Sequence, residues 1–495
     1  MVSKTLCEAR QYEEVYEKQI AQEERPEFHL SPRVGWMNDP NGFSYYNGKY
    51  HLFYQYHPYS PFWGPMHWGH AVSDDLICWE YLPAALAPDQ EYDKEGCFSG
   101  SAVELPDGKQ LLMYTGVSRG MNEDGTVLEK QQQCVAVGDG INYKKYEGNP
   151  VIAYNDIPEG CSVSDFRDPK IWRNEDGTFS CAAVNLAANK SGQILLFTSE
   201  DGFDWTFKSV LLENQNKLGI MWECPDVLKL DGKDVILISP MEMLPEGLEY
   251  HNGHGTVAFI GNMDQENGTF QYEKHQAVDY GIDFYAMQTV KTPDGRTVMI
   301  GWMQNWASGS LHSSERKWFG QMSLPREISI KNGRLIQKPI SELEKFRSEE
   351  VTYRDIVFSD LIKLEKIQGR KIDLEIELMP EDETNVYHKF TLRFAQDEKH
   401  YTAVSFRPHE SVLKIDRKFS GLRCATIHQR RCKVLSKNGR IKLRLILDQF
   451  SAEVFVNDGE QVMTVTMYTD QTAKDISFLA DGIVRMNVVK YDLVK

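Results

Sequence analysis

The sequence predicts an all-β protein, a five-bladed β-propeller followed by a β-sandwich, and three observations carry that expectation. The first is a unit that occurs five times: a polar or aromatic cluster, a short alternating strand, a turn ending in glycine, and a second apolar strand, with turn glycines Gly48, Gly108, Gly177, Gly232 and Gly295. The second is an Asp four places before an aromatic residue at Asp75/Trp79, Asp139/Tyr143 and Asp201/Trp205, with a looser form at Asp264/Phe270, so that successive Asp residues lie 64, 62 and 63 positions apart. The third is a change of texture beyond Ser341, after which alternating strands run to the terminus without the repeat. Units that cannot bury their own faces stack or close radially, and a unit of this length holds the four strands of one blade.

Each hairpin has its own signal. Phe43 to Tyr46 and Tyr50 to Tyr56 flank Asn47-Gly48, a strong short-range hairpin signature. Ser101 to Leu105 and Gln110 to Thr115 flank Pro106-Asp107-Gly108; Lys170 to Arg173 and Thr178 to Val184 flank Glu175-Asp176-Gly177. Val227 to Leu230 and Asp234 to Ser239 flank Asp231-Gly232, and Tyr285 to Lys291 and Thr297 to Trp302 flank Pro293-Asp294-Gly295. The last outer strand is expected from Ile328 to Ile336. The organisation that results is a helical or flexible segment over 1–26, the propeller over 27–340, a short helical linker over 341–350 and the sandwich over 351–495. In the sandwich, Ala452 to Val456 and Val462 to Met467 flank Asn457-Asp458-Gly459 as another hairpin.

Charge and cysteine usage narrow the function. Fifty-five Lys and Arg against 72 Asp and Glu give a net charge of −17, the wrong sign for tracking nucleic acid or anionic lipid. A neutral, hydroxyl-rich small molecule is the better partner; oligomeric state has no signature here. Nine scattered cysteines without a CxxC pair suggest free thiols and a cytoplasmic protein, an expectation shared by an N-terminal stretch rich in Glu with no apolar core. No run approaches the apolar length of a membrane helix.

Counting nine places back from each turn glycine gives Asp39, Ser99, Asp168, Glu223 and Ala286, three of them carboxylates. Equivalent positions of a closed ring converge on its axis, and converging like charges point to chemistry. Taken singly, Asn38-Asp39-Pro40-Asn41-Gly42 is a good turn sequence and Asp168-Pro169 a common strand entry. Two carboxylates in different environments suffice to cleave a glycosidic bond, one ionised as nucleophile and one protonated as acid. Glu223 between Trp222 and Cys224 has apolar neighbours that suit the acid; Asp39 beside Asn38 and turn amides suits the nucleophile. Asp168 beside Arg167 is expected to stay charged and to stabilise positive charge in the transition state. His67 and His70 are not a metal pair, because positions three apart on a strand face opposite ways. No cofactor and no metal are expected.

The motifs WMNDPNG (Trp36 to Gly42), FRDP (Phe166 to Pro169) and WECPD (Trp222 to Asp226), with QYHP (Gln55 to Pro58), FSGSA (Phe98 to Ala102), DFYA (Asp283 to Ala286) and LPRE (Leu324 to Glu327), resemble the invertase and sucrose-6-phosphate hydrolase family, glycoside hydrolase family thirty-two. AEVFVNDGE (Ala452 to Glu460) is similar to a segment of that family's C-terminal sandwich. The resemblance covers nearly the whole chain after Phe28. It implies retaining hydrolysis of terminal β-D-fructofuranosides (sucrose, sucrose 6-phosphate, kestose) through a covalent fructosyl-enzyme, with Asp39 as nucleophile, Glu223 as acid and base, and Asp168 as transition-state stabiliser. The fructose subsite it implies comprises Trp36, Met37, Asn38, Gln55, Trp63, Phe98, Ser99 and Arg167, with Tyr285 and Trp302 completing the pocket. Arg119, Lys130 and Arg173 are the cations whose loop positions suit a phosphate on the leaving sugar. The alternatives are an exo-acting fructan hydrolase and a non-catalytic carbohydrate-binding propeller.

Overall fold

In the computed structural model, residues 2–122, 124–308, 316–382, 384–421 and 427–495 are described; Cys424 lies outside them. Helix α1 (Lys4–Glu17) begins at Ser3, whose hydroxyl accepts from the Leu6 amide at 3.2 Å, and it buries Leu6, Ala9 and Glu13. Among the described residues no helix is long and apolar enough to cross a membrane.

Five four-stranded sheets follow, each an antiparallel meander running from an inner strand outward. The inner strands are Gly35–Tyr46, Gly96–Glu104, Phe166–Arg173, Trp222–Leu230 and Tyr285–Lys291. They touch in cyclic order, and the fifth packs back against the first, so the sheets close into the ring of a five-bladed propeller. A two-residue strand, Trp318–Phe319, adds to the first sheet parallel to Gly35–Trp36. Two six-stranded antiparallel sheets then form the sandwich, its core drawn from alternating residues such as Ile372, Leu374, Ile376 and Leu378.

Turn chemistry explains both sequence repeats. Asn47-Gly48 and Asp231-Gly232 place both central residues at positive φ (49° and 80°; 49° and 79°), the two-residue turn whose twist matches flanking strands. The Asp repeat marks a cap: a carboxylate oxygen of Asp75, Asp139, Asp201 and Asp264 accepts from two backbone amides two and three residues on, at 2.7 to 3.0 Å, just ahead of the outermost strand. One expectation fails. Ile328 to Ile336 is not one strand but parts of two, Arg326–Lys331 and Arg334–Pro339, because Asn332-Gly333 (φ 53° and 66°) makes a further tight turn.

The sandwich is joined to the ring by a buried polar cluster. Arg326, without solvent exposure, donates to Asp279 at 3.0 Å and to Glu453 at 2.6 and 2.9 Å. Arg417 of the sandwich reaches Asp283 at 2.6 Å, and the Thr466 amide donates to the same oxygen at 2.8 Å. His29 lies between Asp448 (2.8 Å) and Glu453 (3.0 Å). Burial alone would lower its pKa, but the hydrogen bonds and charges of the two carboxylates win and raise it to about 9. Folded His29 therefore binds its proton more tightly than the unfolded chain does. Its stabilisation is complete below the unfolded value near 6.5 and is lost as pH rises through about 9. The expected result is a thermal midpoint that declines from pH 6.5 to 9.5 in wild type, with a flatter profile in His29→Gln; equal slopes would remove His29 from the cause.

Candidate active site

The ring is locally irregular at one level. All five inner strands carry a β-bulge: between Met37 and Pro40, Phe98 and Gly100, Arg167 and Lys170, Glu223 and Asp226, and Tyr285 and Gln288. Bulges re-aim side chains out of the sheet, and here Asp168, Cys224 and Ala286 take left-handed backbone with φ of 60°, 50° and 55°. The acids are not register equivalents, as the count from the glycines implied. Glu223 is the last residue before its bulge, Asp168 the first within its own and Asp39 the second. Two things offset the count: the first and fourth hairpins turn in two residues and the second, third and fifth in five, and the first inner strand has a second irregularity, between Asn41 and Ser44, that the fourth lacks. The acids still converge, because all three fall at the bulge level.

They form the floor of a cleft of about 290 Å³ bordered by Asn38, Gln55, Trp63, Phe98, Ser99, Arg167 and the acids themselves. Ser99 Oγ donates to Asp39 Oδ2 at 2.6 Å and Asn38 Nδ2 to Oδ1 at 3.1 Å. The Cys224 thiol lies 3.5 Å from Asp39 Oδ2 and 3.7 Å from Asp168 Oδ2, and the Cys224 amide donates to the latter at 2.9 Å. Arg167 grips Glu223 Oε1 through Nε (3.2 Å) and Nη2 (3.1 Å), while the Tyr285 hydroxyl lies 2.7 Å from Oε2.

Burial and the charge of Glu223 raise the Asp39 pKa, against the donors Ser99, Asn38 and Cys224. Burial, reinforced by the charges of Glu223 and Asp39, pushes Asp168 up to about 7 in spite of Arg167. Arg167, expected to hold Asp168 ionised, stays 3.9 Å from it and turns to Glu223 at 3.1 Å. The apolar surroundings expected for Glu223 are corrected. Trp222 points into the sheet interior, donating to the Leu218 carbonyl at 2.9 Å and packing on Phe259; the carboxylate meets Arg167 and Tyr285 instead.

Four of the expected subsite residues stand behind the wall. Met37 is fully buried in the core between sheets and does not border the cleft. Trp36 stacks on Phe319 and donates to Asn38 Oδ1 at 2.7 Å, fixing the amide that faces Asp39. Trp302 packs on Trp36 and Trp306, and Tyr285 acts through Glu223. Strand alternation put three adjacent motif residues on two faces. Residues not expected on the lining are Met66, Glu129, Gln131, Ser164, Asp165 and Trp306. Asp165 had a usable signal, two places before Arg167 and so on the same face; it accepts from Arg167 Nη1 at 3.2 Å. Of the three cations, Arg173 sits at the hairpin turn at the opposite end of its strand, bonding the Gly177 carbonyl. Lys130 alternates away from the cleft-lining Glu129 and Gln131 to meet Tyr154 at 3.2 Å, whereas Arg119 pairs across the sheet with Glu129. His67 and His70 are buried, bonded to the Pro65 carbonyl and to His51.

Residues 29–339 match the profile of the glycosyl hydrolases family 32 N-terminal domain, and residues 342–493 that of the family's C-terminal domain. A sucrose-6-phosphate hydrolase of Escherichia coli is 37% identical over 92% of this chain and 91% of its own length. A raffinose invertase of Escherichia coli is 34% identical over 92% of each. Among solved structures, a β-fructofuranosidase of Bombyx mori superposes with a TM-score of 0.83 at 36% identity, covering 99% of this chain and 98% of that one. Matched from the first sheet of the ring to the last strand of the sandwich, the chain belongs to glycoside hydrolase family 32.

Proposed function

We propose that this chain is a retaining β-fructofuranosidase that releases fructose from the non-reducing end of sucrose, sucrose 6-phosphate and short fructo-oligosaccharides. The observation that carries the reading is the cleft floor itself, where three carboxylates from three inner strands meet one guanidinium. Asp39 is the nucleophile. Held by Ser99 and Asn38, it attacks the anomeric carbon as Glu223 gives its proton to the glycosidic oxygen and the leaving sugar departs. Glu223, now ionised, takes a proton from water, whose oxygen displaces Asp39 and frees fructose. Asp168 and Arg167 set the charge balance of the floor and bind the sugar hydroxyls; Gln55, Phe98, Ser99 and Trp63 frame the ring.

The catalytic unit in this reading is the ring over 27–340, with the sandwich over 351–495 as its support. The supported site of action is the cytoplasm, since all the described cysteines are free thiols. Arg119 at the mouth, shared between Glu95 (3.2 Å) and Glu129 (3.9 Å), is the cation for a leaving-group phosphate. The test is proton NMR of sucrose cleavage: β-fructofuranose is expected as the first anomer released, and its α anomer would overturn the double-displacement route. Absence of any fructose release from sucrose, sucrose 6-phosphate or kestose would overturn the assignment as a whole.

A further inference from the structure

The aromatic rim of the cleft continues past Trp63. Trp63, 51% exposed, borders the cleft and meets Phe98 edge-on at 6.2 Å. The loop after His57 folds back on that residue: His57 Nδ1 bonds the Phe62 carbonyl at 2.9 Å, Gly64 packs against the imidazole, and the imidazole meets the Tyr59 ring at 6.0 Å. His57 thus anchors one loop that carries both Tyr59 and Trp63, whose chain neighbours Phe62 and Gly64 lie against the imidazole. Tyr59, 40% exposed, meets Tyr12 of α1 edge-on at 4.9 Å, and Tyr12 stacks on Tyr16 at 4.0 Å. The loop anchored on His57 thus carries Trp63 at the cleft mouth and Tyr59 farther out, and Tyr59 extends the aromatic surface to Tyr12 and Tyr16 of the helix.

This row is rigidly mounted. Glu13, one residue from Tyr12 and buried, accepts from the Ala84 amide at 2.9 Å and pairs with Arg33 at 3.4 Å, while Arg10 donates to the Ala84 carbonyl at 2.9 Å. The helix is pinned by its inner face, and Tyr16 and Tyr59 present their rings to solvent. Side chains that lose little entropy on binding, with apolar faces and a hydroxyl at the tip, are what sugar rings require.

We propose that Trp63, Tyr59, Tyr12 and Tyr16 form an extended leaving-side platform that binds the further sugar residues of a fructo-oligosaccharide. The proposal rests on the fructosidase reading, because it takes direction from it. The terminal fructosyl unit must reach the acids on the floor, so everything beyond the glycosidic oxygen lies toward the mouth. Continuity with the cleft commits the platform to that chain.

The experiment compares wild type with Tyr16→Ala/Tyr59→Ala on sucrose and on an inulin-type oligosaccharide of five or more fructosyl residues. The expected result is a sucrose kcat/KM within about twofold of wild type and an oligosaccharide kcat/KM lowered about tenfold, through KM. Equal losses on both substrates, or none on the oligosaccharide, overturn the platform. Tyr16→Ala alone, at a position 39% exposed, gives the same reading at smaller amplitude if the double variant folds poorly. The same pair in a Glu223→Gln background, titrated calorimetrically with the oligosaccharide, tests binding without turnover: an about tenfold weaker Kd supports the platform even where the catalytic reading fails, and an unchanged Kd overturns it. Dissociation of a dimer by Tyr16→Ala/Tyr59→Ala, with oligosaccharide parameters unchanged, overturns it in favour of a second copy as the occupant.

Discussion

Asp39→Asn is expected to reduce fructose release from sucrose by on the order of 10⁵-fold, the scale on which removal of an attacking group stops a covalent mechanism. The amide keeps the shape of the carboxylate and cannot displace a leaving group. A second consequence has the opposite sign. The pKa of Asp39 is raised by burial and by Glu223, so ionising it costs the folded chain more than the unfolded one and lowers stability. Above the ordinary aspartate range that cost is present in wild type and absent in the variant. The thermal midpoint of Asp39→Asn at pH 7 is therefore expected to equal or exceed wild type, with the gap closing as pH falls toward the unfolded value of 3.8. Measured together, a lost rate and a retained midpoint separate chemistry from folding. A variant with near wild-type turnover would sink the nucleophile assignment.

Glu223→Gln is expected to lower kcat on sucrose by about 10² to 10⁴-fold, the usual share of a positioned proton donor. Its signature lies in the leaving group. A β-fructofuranoside of a good leaving group needs no proton to depart, so Asp39 still forms the fructosyl-enzyme, which then waits for a base to activate water. A burst of leaving group followed by a slow steady state is expected, and azide, which needs no base, is expected to restore turnover as β-fructosyl azide. Equal losses on both substrates without rescue would make Glu223 a binding residue. Arg167 and Tyr285, which hold the two oxygens of Glu223, are left with a single amide oxygen between them in the variant.

The hairpins were legible because their turns are local chemistry: Asn47-Gly48 and Asp231-Gly232 demand positive φ at both places, and the sequence supplies the residues that tolerate it. Asn332-Gly333 has the same chemistry, but the strands on either side read as one alternating run from Ile328 to Ile336 and hide it. The three acids were legible by motif, but their depth relative to one another was not. That depth is fixed by bulges, which insert residues without a composition signal, and so a count from the turn drifts by one or two positions. The surroundings of Asp168 are only half legible for a related reason. Sequence shows Arg167 next to it, whereas geometry gives that guanidinium to Glu223 and Asp165 as well. The role of Met37 was lost to alternation, since its motif neighbours Trp36 and Asn38 point elsewhere.

The polar cluster between ring and sandwich also sets an order in time. A nascent chain complete to residue 340 already contains every strand of the five sheets, yet Asp279 and Asp283, which precede the fifth inner strand, do not have their full set of partners. Thr464 donates to Asp279 by amide and hydroxyl at 3.1 and 2.5 Å, and Asp283 awaits Arg417 and Thr466. Until those residues are synthesised, the strand carrying Tyr285 would seat two under-paired carboxylates away from water, which is unfavourable. The reactive centre is thus completed only after the sandwich residues Arg417, Thr464 and Thr466 have been made, and a chain cut short before them is expected to leave Tyr285 unseated and to release no fructose.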